Sequence, residues 1–589
     1  MFSTAAPAIW GGRTVRTMKA RARGSGRAGA AGARARSRST PSPSTTNRRI
    51  RLLLLVFLAC FAALTVRATA LAVAPGRLLS LARQEQQRSI VLPATRGAIL
   101  DRSGAPLAND EPQQTVFATP SMLRDPRAAA ARLAALLHVP HSPLLVALSD
   151  KHSGFAYVAR EIDPILAAKA LSLHLPGVGS YRENQRVYPG GTLATQILGF
   201  AGIDDQGLAG IEYAENAQLS GKPGREAVVI DPAGQVLRTV SSSASRPGQS
   251  VRLTIDQNIQ YQTEQILART VARYHALGAT AIVENPTTGE IYAMANAPLV
   301  TASAFASQPA QTRNRAITDV YEPGSTFKLV TIAACLEAGL VTPNTSFTLP
   351  QSIRVADRVI HDAEMHPTEN FTVTQILAKS SNVGAVTLAE KFLGKDRLLR
   401  WIKRFGFGLR TGIDFPGEVR GLLPAQWSGS TIGNVPIGQG IAVTPMQMLA
   451  AYAAIANGGV WVQPHLVAQI GALPVISGAK RRLLSSRVDQ ELTAMLSHVV
   501  ADGTGTAAQI PGYQVAGKTG TAQKALPNGR GYSTTAFDAS FVGFAPANHP
   551  QLCVLVMVDQ PNVIWGGSVA APAFRDIASF ALRDLAIAP

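Results

Sequence analysis

Cysteine is scarce in this sequence, which holds only Cys60, Cys335 and Cys553 among 589 residues. Cys335 and Cys553 each lie in an apolar segment, which predicts small buried hydrophobic side chains. So few cysteines exclude a disulfide-stapled fold, although the spacing leaves open whether Cys335 and Cys553 pair in an oxidising compartment. No cluster of cysteine and histidine suggests a metal site, and we expect neither a metal nor a cofactor.

Acidic residues are absent before Glu85, whereas residues 1–51 hold 12 Lys or Arg side chains. This segment therefore supplies much of the formal net charge of +19. Because the charge is concentrated there, we do not expect the folded part of the chain to bind nucleic acid. The composition predicts a disordered basic tail over residues 1–49 on the cytoplasmic side of a membrane. A specific anionic partner of the tail is the alternative.

Long hydrophobic runs are absent after Val73, and a single one precedes it. Leu52–Val66 is apolar, and the run resumes after Arg67 as far as Val73. Because about 20 residues cross a bilayer, we expect one transmembrane helix over residues 50–73, with Arg67 reaching the headgroups. A cleaved signal peptide is the alternative. The basic residues before the run place the N-terminus in the cytoplasm and the remaining chain outside.

The predicted secondary structure changes near residue 249. Residues 74–248 predict a strand-rich domain, and the polar segment Ser241–Gln249 predicts a linker. Residues 249–589 carry predicted strands at both ends and predicted helices between them. This order predicts an α+β fold, with one sheet assembled from both ends of the domain and covered by helices. The main predicted elements are helix Asp256–Tyr274, hairpin strands Thr280–Glu284 and Glu290–Ala295, strands Gln514–Thr521, Ala536–Phe544 and Gln551–Asp559, and helix Ala571–Leu585.

Ser325 and Lys328 form a Ser-x-x-Lys motif at the predicted start of helix Phe327–Gly339. Backbone N–H groups are unpaired there, and the simplest role of Ser325 is a helix N-cap. That role does not account for Lys328, which lies one turn away on the same helix face. The positive helix end lowers the pKa of an ammonium group and makes Lys328 a better proton acceptor. The motif therefore predicts that Ser325 is a nucleophile.

Two further motifs carry polar groups suited to the same chemistry. Ser380 and Asn382, after a helix predicted to begin near Thr372, could relay a proton and hold a substrate amide; a polar helix junction is the alternative. Lys518 in Gly517–Thr521 ends a predicted strand, and a lysine with hydroxyls at a strand edge suits a terminal carboxylate. A phosphate-binding loop is the alternative there, but such a loop must follow a strand and open a helix.

Together these motifs form the Ser-x-x-Lys, Ser-x-Asn and Lys-Thr-Gly signature of β-lactamases and penicillin-binding proteins. Beyond the signature, the chain closely resembles the division-specific class B penicillin-binding proteins, the septal peptidoglycan D,D-transpeptidases. The resemblance covers nearly everything after Leu52. The stretches that carry it are Arg96–Arg102, Arg186–Gly191, Gly207–Glu212, Arg313–Asp319, Gly438–Pro445 and Gly566–Gly567.

The resemblance implies a dimerisation-type pedestal domain over residues 74–248 and a transpeptidase domain of the penicillin-recognising fold, with a helix-covered antiparallel sheet, over residues 249–589. Ser325 would attack the carbonyl between two D-alanines of a stem peptide, and Lys328 would accept its proton. An amine of a second stem peptide would then resolve the acyl-enzyme. The other implied roles are proton relay by Ser380, donor binding by Asn382, carboxylate binding by Lys518, Thr519, Gly520 and Thr521, and an oxyanion hole of the Ser325 and Thr521 N–H groups.

The same resemblance implies the partners and the location of the protein. The partners would be donor and acceptor stem peptides, β-lactams as covalent inhibitors, a membrane glycosyltransferase and other divisome proteins. The protein would be a single-pass protein of the cytoplasmic membrane, with its catalytic domain in the periplasm. One stretch departs from the family: Ala194–Phe200 lacks a histidine that is common before the Gly-Phe pair, which could affect a partner contact.

Three alternatives remain at this stage. An elongation-specific relative would perform the same chemistry at the side wall. A D,D-carboxypeptidase or β-lactamase would use water as the acceptor, but neither a pedestal nor a membrane anchor is needed for that. A non-catalytic β-lactam sensor would not need Ser325, Lys328 and Lys518 together. The sequence also leaves open the acceptor diamino acid and the role of the basic tail.

Overall fold

The structure, a computed structural model, describes residues 43–73, 87–230, 236–476, 478–526 and 531–589. Helix Pro43–Val73 is the one helix of these ranges that is long and apolar enough to cross a membrane, over Asn47–Val73. It begins earlier than the predicted position 50, because Pro43 fits the first turn of a helix, where its missing N–H costs no bond. The predicted disorder is therefore wrong for residues 43–49, and residues 1–42 lie outside the described residues.

The C-terminal half contains a five-stranded antiparallel sheet. Gly278–Glu284 pairs with Leu552–Asp559, so that strands from the beginning of this half join strands from its end. The expected α+β fold, with one sheet assembled from both ends, is confirmed. Across the sheet the strands are Ile291–Ala297, Gly278–Glu284, Leu552–Asp559, Tyr532–Ala545 and Ala516–Ala525.

Helices cover both faces of this sheet. Gln257–Tyr274 and Gly566–Asp584 lie on one face, where the rings of Phe541 and Phe574 are 4.7 Å apart. Pro445–Ala456 lies in the core on the other face, and every one of its residues is buried. A helix in the interior needs an apolar surface around its whole circumference, which explains why this segment is apolar apart from Gln447 and Tyr452, whose polar atoms bond to the Thr444 N–H and the Thr326 carbonyl oxygen.

The remaining elements of this half surround the sheet. The helices and helical turns are Ala304–Ser307, Pro309–Thr312, Arg315–Thr318, Gly324–Phe327, Lys328–Glu337, Val373–Ala378, Asn382–Leu388, Ala389–Leu393, Gly394–Arg404, Thr431–Asn434, Val435–Ile437, Ser486–Ala501 and Thr506–Ala508. Short paired strands are Ser346–Leu349 with Glu369–Thr372, Ser352–Val355 with Arg358–His361, and Val460–Val462 with Lys480–Arg482.

The N-terminal part of residues 87–589 is rich in strands, as expected. Pro106–Ala118 pairs with both Ala156–Ile162 and Val178–Val187, and three helices pack against these strands around a separate apolar core. These helices are Pro126–Leu137, His141–Ser149 and Pro164–Leu171. Other elements are strands Gln87–Leu92, Ile99–Leu100, Phe200–Ala201, Gly207–Ala209, Gly224–Ile230 and Val236–Ser243, and short helices Pro120–Met122, Thr195–Leu198, Gly210–Ala214 and Asn216–Leu219.

The predicted linker Ser241–Gln249 is only partly a linker. Its first residues belong to strand Val236–Ser243, which pairs with Gly224–Ile230. Directly after it, Val251–Leu253 pairs in parallel with Ile99–Leu100 and antiparallel with Val467–Ile470, which continues to Leu473–Pro474. The two parts of the chain therefore share one sheet across the predicted boundary at residue 248. Serine-rich composition indicates local polarity and carries no information on backbone pairing with distant segments.

The cysteines outside the long N-terminal helix are free and buried. Cys335 lies in helix Lys328–Glu337 and Cys553 in strand Leu552–Asp559, each fully buried and without a disulfide. Their prediction as small hydrophobic residues is confirmed.

The stretch Ala194–Phe200, which departs from the family, is an internal contact. Gln196 is 7 % exposed. Its side-chain amide donates to the carbonyl oxygens of Pro298 at 3.2 Å and Gln311 at 3.1 Å. This glutamine thus joins the strand-rich part to the segment that precedes the nucleophile motif. Because the Gln196 side chain is buried, it is not available for the partner contact that was predicted for this stretch.

Three of the stretches that carried the resemblance meet in one buried ion-pair network. Arg96 and Arg186 each place Nε 2.6 Å from a carboxylate oxygen of Glu212. Arg186 also lies 3.0 Å from Asp110. Because the side chains of Arg96 and Glu212 are 1 % and 0 % exposed, neither charge is stable there without the other.

We predict that Glu212→Gln strongly destabilises the protein, because the buried guanidinium of Arg96 loses its carboxylate partner and that of Arg186 keeps only Asp110. Breaking a buried pair from one side costs about 3–5 kcal/mol. Urea denaturation of the full chain in detergent, followed by tryptophan fluorescence, measures the loss. The control is Asp204→Asn, since Asp204 pairs with Arg160 but is 67 % exposed, and an exposed pair contributes at most about 1 kcal/mol. Equal losses in the two variants would contradict the prediction.

Candidate active site

Ser325 lies in the turn Gly324–Phe327, which runs directly into helix Lys328–Glu337. The alternative role of an N-cap is wrong, because neither the turn nor the helix has a side-chain cap. The Ser325 hydroxyl instead accepts a hydrogen bond from Lys328 Nζ at 3.0 Å. Gly324 has a φ of 55°, and a Cβ at this position would lie 2.8 Å from the carbonyl oxygen of Thr521. The turn therefore needs glycine to approach strand Ala516–Ala525.

Lys328 is fully buried at the centre of the cluster. Besides Ser325 Oγ, its Nζ lies 2.7 Å from Asn382 Oδ1 and 3.2 Å from Ser380 Oγ, and it also donates to the Ser380 carbonyl oxygen. Burial lowers the pKa of Lys328 to about 7, against the opposing effect of the negative charge of Asp362. Near neutral pH this amine is therefore a proton acceptor within hydrogen-bond distance of the serine hydroxyl.

Ser380 lies in the connection between helices Val373–Ala378 and Asn382–Leu388, and Asn382 is the first residue of the second helix. Ser380 has a φ of 59°, and its hydroxyl lies between Lys328 Nζ at 3.2 Å and Lys518 Nζ at 3.0 Å. Asn382 donates to the carbonyl oxygen of His361 at 2.8 Å, which fixes its amide oxygen toward Lys328. The polar junction is real as well, since Ser381 caps the second helix. One segment therefore combines a helix junction with two groups of the cluster.

Lys518 lies in Ala516–Ala525, the edge strand of the five-stranded sheet. The phosphate-loop alternative is wrong, because Lys518 and Thr519 stand inside a strand that turns back into another strand. Lys518 Nζ lies 3.2 Å from Thr519 Oγ1, and Thr519 Oγ1 lies 2.8 Å from Thr504 Oγ1. Thr521 Oγ1 accepts a hydrogen bond from the Gly566 N–H at 3.1 Å. An edge strand has free backbone groups with which an extended peptide could pair.

Two buried lysines share the hydroxyl of Ser380. Burial lowers the pKa of Lys518 well below its usual value, and the neighbouring Lys328 lowers it further. Two ammonium groups this close repel each other strongly in a buried site, so the pair does not carry both charges near neutral pH. An anion placed beside them would favour a second proton.

Asp362 is a member of the cluster that the sequence analysis missed. It is 8 % exposed, and its carboxylate accepts hydrogen bonds from Ser381 Oγ at 2.7 Å and from the Val383 N–H at 2.9 Å. His366 Nε2 lies 3.0 Å from the same carboxylate. Asp362 thus holds the connection that carries Ser380 and Asn382. No local motif marks it, because it follows the hairpin strand Arg358–His361, which only the tertiary fold brings to the site.

Gly520 lets the nucleophile turn contact the edge strand. A Cβ on Gly520 would lie 2.3 Å from Ser540 Oγ and 2.9 Å from the Pro323 carbonyl oxygen. Every residue predicted for the site is accordingly in or beside one cluster, which joins the turn at Ser325, the connection at Ser380 and the strand at Lys518. The oxyanion hole of the Ser325 and Thr521 N–H groups stays a prediction. Within the described ranges, no group of three or more His, Cys, Asp or Glu side chains could hold a metal ion.

Comparison with known proteins covers both parts of the chain. Residues 279–579 match the family of the penicillin binding protein transpeptidase domain, and residues 91–253 match the penicillin-binding protein dimerisation domain. The probable peptidoglycan D,D-transpeptidase PbpC of Pseudomonas aeruginosa is 35% identical over 85% of this chain and 89% of its own length. The peptidoglycan D,D-transpeptidase FtsI of Escherichia coli is 33% identical over 88% of each chain.

A solved structure is similar over the same region. The crystal structure of penicillin binding protein 3 from Mycobacterium tuberculosis, complexed with aztreonam, superposes with a TM-score of 0.68 at 31% sequence identity. The similar region spans 85% of this chain and 98% of the crystallised chain.

Proposed function

The chain belongs to the class B penicillin-binding proteins, the peptidoglycan D,D-transpeptidases, and from this membership we propose that it cross-links stem peptides through an acyl-enzyme on Ser325. The observation that carries the proposal is the 3.0 Å contact between Lys328 Nζ and Ser325 Oγ, inside a site that lowers the pKa of Lys328 to about 7. A neutral amine in this position can take the proton of the attacking hydroxyl.

In the proposed acylation, Ser325 Oγ bonds to the carbonyl carbon of the penultimate D-alanine while Lys328 takes the hydroxyl proton. The bond from that carbon to the nitrogen of the terminal D-alanine then breaks. Ser380, 3.2 Å from Lys328 Nζ, would pass the proton to the leaving nitrogen. In the second half, an amine of another stem peptide attacks the ester, returns its proton through Lys328 and frees Ser325.

Substrate binding follows from the edge strand and its polar groups. The terminal carboxylate of the donor would lie beside Lys518, Thr519 and Thr521, while Gly520 keeps the strand close to the serine turn. The negative charge of the carboxylate would favour the ammonium form of Lys518 and leave Lys328 as the neutral base. The Ser325 and Thr521 N–H groups would stabilise the developing oxyanion. Asn382 would hold the donor amide.

We further propose that the enzyme works at the division septum, anchored by helix Pro43–Val73 with its N-terminus in the cytoplasm and residues 87–589 in the periplasm. Its partners would be a membrane glycosyltransferase and other divisome proteins. The short strand-rich domain and the segment Gly207–Glu212 favour this over the elongation-specific alternative. A fluorescently tagged copy should concentrate at the septum of dividing cells, and uniform signal along the wall would support the elongation role instead.

We predict that a fluorescent penicillin labels the wild-type protein covalently and leaves Ser325→Ala unlabelled, because Ser325 Oγ lies 3.0 Å from Lys328 Nζ in the turn that contacts the edge strand, whereas the nearby Ser380 hydroxyl is held between Lys328 and Lys518. Mass spectrometry of the acylated protein should place the adduct on the peptide that contains Ser325. The matched control is Ser303→Ala, at an exposed serine, which should label like the wild type. Label retained in Ser325→Ala would refute the proposed nucleophile and with it the transpeptidase mechanism.

The rate of acylation should rise with pH and level off above about pH 7, since Lys328 accepts a proton only when it is neutral and its pKa is lowered to about 7. Initial rates of penicillin labelling between about pH 5 and pH 9 measure the midpoint. Circular dichroism at each pH checks that the protein stays folded. A rate that rises steadily up to pH 9 without levelling off, as the ordinary lysine pKa of about 10 requires, would show that burial does not set this pKa.

Asp362→Asn should slow acylation about tenfold, equivalent to ~1.4 kcal/mol, because Ser381 and the Ser380–Asn382 connection lose a charged acceptor. The same change removes a negative charge that raises the pKa of Lys328, so the midpoint of the pH profile should move to lower pH. A purely structural role would not move the midpoint. Asp357→Asn is the control, since Asp357 is 75 % exposed on the same hairpin. An unchanged midpoint in Asp362→Asn would contradict the prediction.

A further inference from the structure

His366 contacts the Ser325 cluster from outside and has no part in the proposed acylation. It follows Asp362 by four residues, between strands Arg358–His361 and Glu369–Thr372. Its side chain is 12 % exposed, and its backbone N–H donates to Gln351 Oε1 at 2.9 Å. The amide nitrogen of the same glutamine donates to the Asp362 carbonyl oxygen at 3.1 Å. One side chain therefore fixes the backbone of this segment at two points.

Both ring nitrogens of His366 face oxygen atoms that accept hydrogen bonds. Nδ1 lies 2.7 Å from the carbonyl oxygen of Pro367, and Nε2 lies 3.0 Å from Oδ2 of Asp362. A neutral imidazole has one N–H donor, whereas an imidazolium has two. A carbonyl oxygen cannot donate, so Nδ1 carries a proton. Nε2 must carry the second proton when Asp362 is ionised.

The contacts of Asp362 favour the ionised carboxylate. Its Oδ2 also accepts a hydrogen bond from the Ser381 hydroxyl at 2.7 Å, and its Oδ1 accepts one from the Val383 N–H at 2.9 Å. A carboxylate can accept from all three donors, and each of these bonds stabilises the charged form. His366 and Asp362 thus form an ion pair whose side chains are 12 % and 6 % exposed, and water screens such a pair weakly.

Two further charged groups lie near this pair. Glu369 Oε1 is 3.8 Å from His366 Nδ1 and 3.8 Å from Lys379 Nζ. The Glu369 side chain is 38 % exposed, so its effect on the imidazolium is small. Burial alone would lower the pKa of His366, but the hydrogen bonds to Pro367 and Asp362 raise this pKa above its ordinary value. The folded protein therefore keeps the imidazolium to a higher pH than water does.

The ion pair acts on the base of the active site through Asp362. Burial lowers the pKa of Lys328, and the negative charge of Asp362 opposes this effect. A positive charge held 3.0 Å from the Asp362 carboxylate offsets part of that opposing charge. An imidazolium at His366 therefore favours the neutral amine of Lys328. When His366 loses its proton, Asp362 favours the ammonium form more strongly.

We propose that His366 is a positioning residue that fixes Asp362 against the Ser380–Asn382 connection and balances the negative charge that Asp362 exerts on Lys328. This inference rests on the proposed acylation of Ser325 and adds the control of its pH dependence. A histidine that served only to stabilise the fold would not change the pH at which the amine becomes a base.

Initial rates of penicillin labelling from about pH 5 to about pH 9 test the charge of His366. His366→Gln removes the charge and keeps a donor, so the midpoint of the profile should move to higher pH, because Asp362 then acts on Lys328 without a counter-charge. His366→Lys stays charged up to about pH 9, since the ordinary lysine pKa is about 10, and its midpoint should lie at or below that of the wild type.

The labelling rate on the plateau above the midpoint tests the positioning role. His366→Phe removes both the donor and the charge, and its plateau rate should fall about fivefold, as the loss of one hydrogen bond to a charged group implies. His366→Gln should lose less, because its amide can still donate to Asp362. A wild-type plateau in His366→Phe would contradict the positioning role.

Two controls test whether the effect passes through Asp362. His498→Gln is the matched variant, since His498 and Asp502 have the same four-residue spacing but lie 3.8 Å apart with side chains 59 % and 73 % exposed. Its profile should equal that of the wild type. In the Asp362→Asn background, His366→Gln should leave the midpoint unchanged, because no negative charge remains to be balanced.

Three results would overturn the charge role: a midpoint in His366→Gln at or below the wild-type value, an equal shift in His498→Gln, or the same shift in the Asp362→Asn background. Thermal unfolding shows which variants are folded, and the Gln and Lys variants carry the test if His366→Phe does not fold. Label retained in Ser325→Ala would refute the acylation mechanism itself. Label that depends on Ser325, with an unmoved midpoint in His366→Gln, would refute only the role of His366.

Discussion

The candidate site depends on the burial of two lysine side chains around one serine hydroxyl. Lys328 and Lys518 are fully buried, and Ser380 Oγ lies 3.2 Å from one Nζ and 3.0 Å from the other. Transfer of an ammonium group from water into such a site is costly, so the neutral amine is favoured and the pKa of each lysine falls. Because burial disfavours the charged ammonium form, Lys328 is a neutral base beside Ser325 near neutral pH.

Neither buried amine has a direct carboxylate partner among the described residues, and both bond to neutral oxygen atoms instead. Lys328 is held by oxygens of Ser325, Ser380 and Asn382, and Lys518 by hydroxyls of Ser380 and Thr519. These groups come from three distant parts of the chain. Each part belongs to a rigid element: a helix, a capped helix junction or a sheet strand. Such elements hold reactive groups more accurately than loops do. The close approach of turn and strand needs Gly324 and Gly520, where a side chain would collide with backbone or with Ser540.

The strand-rich part contributes rigidity by a different interaction. Its motif residues Arg96, Arg186 and Glu212 form a buried ion-pair network and are not exposed to a partner. Strand Val251–Leu253 then joins this part to the C-terminal half through one sheet. The sheet therefore continues across the predicted domain boundary at residue 248, and Gln196 adds a further contact between the two parts. Residues 87–589 therefore form one unit. The buried ion-pair network stabilises its strand-rich part, and the shared sheet joins that part to the C-terminal half.

The sequence by itself determined the α+β class, the sheet assembled from both ends, the apolar N-terminal helix and the three motifs of the site, because each of these is written in local periodicity or in residues a few positions apart. Ser325 and Lys328 are neighbours on one turn, so their pairing needed no knowledge of the fold. Asp362 and Thr504 could not be found in this way, since their partners are distant in sequence and no pattern marks them. The lowered pKa of Lys328 was foreseen from the helix end, yet its main cause is burial, and burial is a property of the packed chain. Only the tertiary structure decided these features, because desolvation and contact between distant segments arise when the elements pack together.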